Sequence, residues 1–290
     1  MKLGLYLRNM GPQSVPPTLL ACARAAEAAG VDELWVADHV AIPPDQSEGS
    51  GGRYLDPLAT LAFLAGATER IGLGSAVLVL PYRPALATAK WVATIQELAA
   101  GRFLFGVGSG WMEPEFRAAA VAYRERGRIT DETLAFLQRC FASDEVEANG
   151  QRFLFLPRPP RPPILVGGSP AYAFRRAVRF GDGWMPMLPG AGDPEVLRPA
   201  IAALRAQAAA AGRPAPEVAV LTELPLDDPK AAAARLAAFA DVGATRVAHG
   251  WRYADAAEFA RGGALGLASL TSRGRRVARA GRRRFCGQTP

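Results

Sequence analysis

Short apolar runs alternate with alanine-rich stretches of helical spacing along residues 2–249. The runs are 2–7 (KLGLYL), 33–37 (ELWVA), 71–80 (IGLGSAVLVL), 102–107 (RFLFGV), 164–166, 183–187, 218–224 and 245–249. Most are continuously apolar rather than alternating, the pattern of strands covered on both faces in a parallel sheet. The helical stretches between them are 17–29, 56–67, 84–100, 113–142 (broken near Gly127), 171–180, 194–211 and 230–242. In the first, Leu19, Cys22, Ala23 and Ala26 share one face, and Gly30 ends it. Eight strands alternating with helices in a chain of 290 residues predict a single α/β domain, a (β/α)8 TIM barrel. No Gly-x-Gly-x-x-Gly follows the first strand, which argues against an open dinucleotide-binding sheet. Residues 147–156, centred on Asn149-Gly150, predict a small hairpin inserted after strand four, followed by a proline-rich linker at 157–163.

Charge alters this picture only at one end. The formal net charge is +7, but residues 261–290 hold eight arginines and no acid, so residues 1–260 carry a net charge of −1. The chain thus divides into a barrel, 1–260, and an arginine- and glycine-rich C-terminal tail, 261–290, without clear amphipathic periodicity. A divergent tail and a shifted reading frame account for it equally well. An electrically ordinary body makes nucleic acid an unexpected partner; a tail acting on polyanions would show strongly salt-dependent binding. Three widely spaced cysteines (Cys22, Cys140, Cys286) form neither a disulfide framework nor a zinc pattern. The apolar start is too short for a signal peptide, and no segment reaches the roughly 18 apolar residues of a membrane span. These features point to a cytoplasmic protein away from membranes.

In such a barrel, functional residues gather at the C-terminal ends of the strands. The candidates are Asp38 and His39 after strand two, 75–81 in strand three, 108–111 after strand four, 167–169 after strand five, and His249 after strand eight. His39, one of two histidines, follows a carboxylate, and an imidazole can move protons near neutral pH. Gly167-Gly168-Ser169 leads into a helix start, where free N–H groups and the dipole favour a phosphate; Arg175 and Arg176 lie in the same helix. The turn Gly108-Ser109-Gly110-Trp111 leaves room for a flat ring. Glu113 and Glu115, in the first turn of a helix, read as partners of its dipole rather than as catalysts. No nucleophile elbow, Walker loop or metal-ligand spacing is present, so no metal is expected.

Four stretches together resemble the luciferase-like monooxygenase superfamily, and most closely its coenzyme F420-dependent oxidoreductase branch. They are 26–40 (AEAAGVDELWVADHV), 68–111, Glu115-Phe116 and 162–186 (PPILVGGSPAYAFRRAVRFGDGWMP). The resemblance implies that Asp38 and His39 are the active-site pair, with His39 near the reactive carbon of a deazaflavin. It implies a non-proline cis peptide at Ala76-Val77 against the back of the ring. Gly167, Gly168 and Ser169 would bind the phosphate, and Gly108, Ser109, Gly110 and Trp111 would flank the ring. Trp111 stands where sugar-phosphate dehydrogenases of this branch carry glutamate, so that substrate class is not expected. The implied function is hydride transfer between F420 and a small organic substrate in a homodimer. An FMN-dependent monooxygenase and a non-catalytic cofactor-binding barrel are the alternatives.

Overall fold

The computed structural model describes residues 1–268 and Leu270. Eight parallel strands form its centre: β1 (Lys2–Tyr6), β2 (Glu33–Val36), β3 (Gly72–Ser75), β4 (Phe103–Gly108), β5 (Ile164–Gly167), β6 (Gly183–Met185), β7 (Glu217–Thr222) and β8 (Arg246–His249). Each pairs with its successor, and β8 pairs with β1 with Lys2 opposite Arg246. Pairing of Glu217 with Gly183 and Val218 with Trp184 joins β7 to β6, so the sheet closes on itself as the TIM barrel expected from the sequence.

The helices that cover the barrel are α1 (Pro16–Ala28), α2 (Pro57–Ala65), α3 (Ala85–Leu98), α4 (Arg126–Ala142), α5 (Pro170–Phe180), α6 (Arg198–Ala210) and α7 (Pro229–Asp241). Their starts have local causes. Asp56 caps α2 by accepting from the amides of Leu58 and Ala59, and Asp228 caps α7 through Lys230 and Ala231, each with proline in the first turn. Leu3, Leu5, Leu34, Leu73, Phe103, Phe105, Val166, Val218 and Val220 belong to one buried cluster between strands and helices. Each such large side chain contributes roughly 1.5–3 kcal/mol by leaving water.

The inside of the barrel is filled differently. Trp35 is buried among Leu104, Leu165, Met185, Ala219 and Ala248, with Tyr6, Ala76, Val77 and Leu221 at the margin. The indole fits because its neighbours are glycines: a Cβ on Gly74 would lie 2.3 Å from its ring, and one on Gly4 2.6 Å from its Nε1. At the N-terminal end, Arg246 joins Glu33 and Glu217. Burial pushes the Glu33 carboxyl up to about 7 despite Arg246, and its second oxygen has no partner.

Three expectations change in detail. The apolar run at 71–80 is interrupted: after β3 the chain bulges at Ala76-Val77, whose peptide bond is cis, and Leu78–Val79 pairs with β4. The helical stretch at 113–142 divides at 119–125, where Ala120 has φ 56°, into a short helix Glu113–Ala118 and α4; Gly127 lies inside α4. Past Phe259, helical structure continues through a π-turn, Ala260–Ala264, to residue 268. Gly263 is required there because a Cβ would lie 2.1 Å from the Trp251 ring, and Ala264, Leu267 and Leu270 are buried. The boundary expected between 260 and 261 therefore falls inside a helical segment. Ser269 and residues 271–290, most of the expected tail, lie outside the described residues. The hairpin forms as expected, Glu145–Ala148 with Gln151–Leu154, turning on Asn149 and Gly150 at positive φ. Among the described residues no helix is long and apolar enough to cross a membrane.

Candidate active site

The end of β2 places two polar side chains in different surroundings. Asp38 is fully enclosed: its Oδ2 accepts from the Val79 amide at 2.8 Å and from Arg83 at 2.6 Å, and its Oδ1 accepts from Arg83 at 2.8 Å. Arg83 also bonds Asp56, the cap of α2, at 2.7 Å. Both carboxylate oxygens of Asp38, expected as half of the active-site pair, are engaged within the protein, and its side chain is shut off from solvent. Asp38 is a positioning residue that ties β2 to the segment just beyond the bulge.

His39 faces the barrel mouth. Its Nδ1 lies 2.8 Å from Glu115 Oε2 in the short helix after β4. The other oxygen of Glu115 accepts from the amides of Val40 at 2.7 Å and Ala41 at 3.0 Å, and Tyr82 donates to Oε2 at 3.0 Å. Burial opposes charge on Glu115, but the bonds from His39, Ala41 and Val40 outweigh it and hold its pKa below the usual carboxylate range. Burial, reinforced by the Glu115 charge, pushes the Tyr82 phenol up, so it stays a donor. With Nδ1–H given to Glu115, the Nε2 of His39 has no partner among the described residues. The ring packs against Tyr54 (centroids 4.9 Å) and edge-on to Trp111 (6.2 Å).

The bulge forms the adjoining floor. Val77 turns its methyl groups over Gly108 and Gly167: a Cβ on these glycines would approach them to 2.6 and 2.9 Å. Gly108 and Gly167, read from the sequence as ring- and phosphate-binding, thus first make room for the bulge. One layer down, a Cβ on Gly106 would lie 1.9 Å from the Ser75 carbonyl oxygen, and Ser75 Oγ donates to Gly106 O at 2.7 Å. Thr130 donates to Ser109 Oγ at 3.2 Å, fixing the turn to α4. Gly110 has φ 76° and packs against Val79 and Phe116. Trp111 is 68% exposed at the rim.

After β5, Gly168 adopts φ 113° with open space beside it, and its carbonyl accepts from Trp184 Nε1 at 2.9 Å. Ser169 is the N-cap of α5 with its hydroxyl unused by the helix. Pro170 has no N–H and that of Tyr172 bonds the Ser169 carbonyl at 3.0 Å, so in the first turn the Ala171 amide, beside the open space at Gly168, is left to meet an anion. Arg175 and Arg176 do not add to it; both bind Asp131, at 2.9 and 2.5 Å. His249, a further candidate, points away from the mouth. It stacks on Trp251 (4.6 Å) and its Nδ1 accepts from the Leu224 amide, while burial pushes its pKa down to about 4. The ends of β2, β3, β4 and β5 thus converge on one rim of the barrel. Sequence reasoning missed Glu115, Tyr82 and Tyr54 as partners of His39. For Glu115 and Tyr82 the signal was their place in the family-like stretches; Tyr54 carried none.

Residues 2–286 match the luciferase-like monooxygenase family. An F420-dependent hydroxymycolic acid dehydrogenase of Mycobacterium tuberculosis is 31% identical over 248 residues, 81% of this chain and 63% of the relative. An F420-dependent secondary alcohol dehydrogenase solved with an F420–acetone adduct superposes with a TM-score of 0.74 at 18% identity, covering 93% and 97% of the two chains. The oxygenating constituent of a Pseudomonas putida 3,6-diketocamphane monooxygenase, solved with FMN, gives 0.62 at 17%, covering 77% and 67%. These two structural likenesses are of fold. The family match over nearly the whole chain makes this chain a member of the luciferase-like monooxygenase family of oxidoreductases.

Proposed function

We propose that this chain is a coenzyme F420-dependent oxidoreductase that interconverts an alcohol and a carbonyl, or reduces an activated double bond, on a small organic substrate. The observation that carries the reading is His39, oriented by Glu115 with Nε2 free, on the same rim as the bulge and the Gly167–Ser169 turn. The site fits a flat ring bearing a phosphate: Val77 offers an apolar floor, and the open space at Gly168 and the Ala171 amide at the α5 start suit an anion. Val77, Gly108, Ser109, Gly110 and Trp111 would hold the ring, and Gly168 and Ser169 the phosphate. When bound, F420 supplies or accepts the hydride.

The protein's own part is proton handling and orientation. Glu115 keeps the hydrogen of His39 on Nδ1, so Nε2 can take a proton from a substrate hydroxyl or, once protonated, return it to a carbonyl oxygen. Tyr54 and Trp111 restrict rotation of the imidazole and shield it from water. The named activity of the mycobacterial relative favours F420 over FMN. The experiment is titration of purified protein with each cofactor, followed by turnover of F420 with a panel of alcohols and carbonyls. Submicromolar F420 binding with turnover that is lost in His39→Asn supports the reading. FMN binding alone would replace it with a monooxygenase, and F420 binding without turnover with a cofactor-storage barrel.

A further inference from the structure

We infer that Arg8 anchors a carboxylate on the substrate, so that the site takes hydroxy or oxo acids rather than neutral alcohols and ketones; this rests on the reading of His39 as the proton-handling residue. Arg8 follows β1 on the same rim of the barrel. Leu7 before it is buried in the outer core, and the chain turns at Arg8, the Asn9 amide donating to the Leu7 carbonyl at 2.9 Å, at the end of the barrel where β1 emerges. Its backbone amide donates to the Tyr253 hydroxyl at 2.8 Å, and its Nη2 donates to the Gly49 carbonyl at 2.9 Å. Its Nε is buried with no partner, and among the described residues no carboxylate forms an ion pair with it.

That isolation separates Arg8 from Arg83, which is neutralised by Asp38 and Asp56. A part-buried guanidinium without a counter-ion is unfavourable, and the imbalance is relieved when an anion binds. The place is also suitable for substrate. Met10, two residues after Arg8, bridges to Tyr54, and burial keeps the Tyr6 and Tyr54 phenols protonated. Tyr54 in turn packs on His39 at 4.9 Å. Arg8 and His39 therefore flank the same tyrosine, one offering a fixed positive charge and the other a proton. A single guanidinium with one amino group already engaged suits a planar carboxylate better than a phosphate, which takes more donors.

The test uses the full chain, isothermal titration, and phenylacetate and phenylacetamide as probes. Wild type binds the acid about tenfold or more tightly than the amide, as a charge-assisted pair predicts. Arg8→Gln loses that preference and Arg8→Lys retains part of it, while all three bind F420 within about twofold of one another; thermal melts establish that the variants are folded. Equal binding of acid and amide, or no binding of phenylacetate, overturns the inference. So does an Arg8→Gln variant that loses F420 affinity instead, since the guanidinium would then serve an anionic part of the cofactor. Absence of F420 binding in wild type with the acid preference intact removes the proposed cofactor and leaves Arg8 as a carboxylate anchor.

Discussion

Glu115 Oε2 lies 2.8 Å from the Nδ1 of His39, across 76 positions of sequence, and the same carboxylate holds the backbone of Val40 and Ala41 in the loop that carries His39. One buried acid therefore fixes the imidazole and its loop together. Glu115→Gln is expected to lower kcat about 10–100-fold, in the range of losses when the partner that orients a functional histidine is removed, with cofactor affinity unchanged. Tyr82→Phe, which removes one of four bonds to that carboxylate, is expected to have a smaller effect. Steady-state kinetics beside cofactor titration checks both; a loss of cofactor binding in Glu115→Gln with kcat intact contradicts the assignment.

The Val77 bulge depends on two missing side chains. Gly108→Ala brings a methyl group to 2.6 Å from Val77 Cγ2, and Gly167→Ala one to 2.9 Å from Cγ1. Overpacking of this kind destabilises by about 1–3 kcal/mol. Because Val77 forms the proposed ring floor, the expected outcome is a lowered melting temperature together with weaker cofactor binding. Gly150→Ala, in the hairpin turn with nothing within 4 Å, strains the backbone at φ 74° but leaves the site alone. Its cofactor affinity should match wild type.

His249 contributes a pH dependence of known sign. Its folded pKa is pushed down to about 4 from 6.5, so between these values the unfolded chain binds the extra proton. The stability of the neutral, buried imidazole is complete above about pH 6.5 and is lost as pH falls toward 4. His249→Asn, which keeps an acceptor for the Leu224 amide, is expected to flatten the fall of melting temperature across this window. An unchanged slope contradicts the assignment.

Glu33 works in the opposite direction. Its folded pKa, raised to about 7 from 4.5, means that the folded chain holds a proton the unfolded chain has released. Stability therefore declines with rising pH between these values. Glu33→Gln should gain stability relative to wild type as pH goes from 5 to 8, on the order of 3 kcal/mol over the window. Chemical denaturation at several pH values measures the difference.

Fold and site were legible to different degrees in the sequence. The strands were visible because burial on both faces leaves continuous apolar runs such as FLFGVG, and the hairpin because Asn149-Gly150 tolerates positive φ. The positions of His39 and the Gly167–Ser169 turn at strand ends were legible from the order of elements. The His39–Glu115 bond was not, because a carboxylate at a helix start reads as a dipole partner until the fold carries it to the loop after β2. The surroundings of Asp38 were illegible for a related reason: adjacency to a histidine resembles a pair, yet Asp38 bonds Val79 and Arg83 while His39 bonds Glu115. His249 sits at a strand end on the face turned outward, which position along the chain alone does not reveal. The break in the 113–142 stretch was expected near Gly127 and falls at 119–125, and the helical continuation past Phe259 was missed, where small residues hide the local conformation. Gly263, for example, is set by the Trp251 ring and not by its neighbours in sequence.

The chain has only two histidines, and their hydrogen bonds place the neutral-ring hydrogen differently: on Nδ1 in His39, which faces Glu115, and on Nε2 in His249, whose Nδ1 accepts from Leu224. Long-range 1H–15N spectra of the side chains therefore distinguish the two without further assignment. Adding F420 should shift the His39 ring nitrogens and leave those of His249 in place, placing the cofactor beside the imidazole that Glu115 orients. An F420-saturated protein whose His39 signals do not move, or whose two rings show the same tautomer, would contradict the account at its centre.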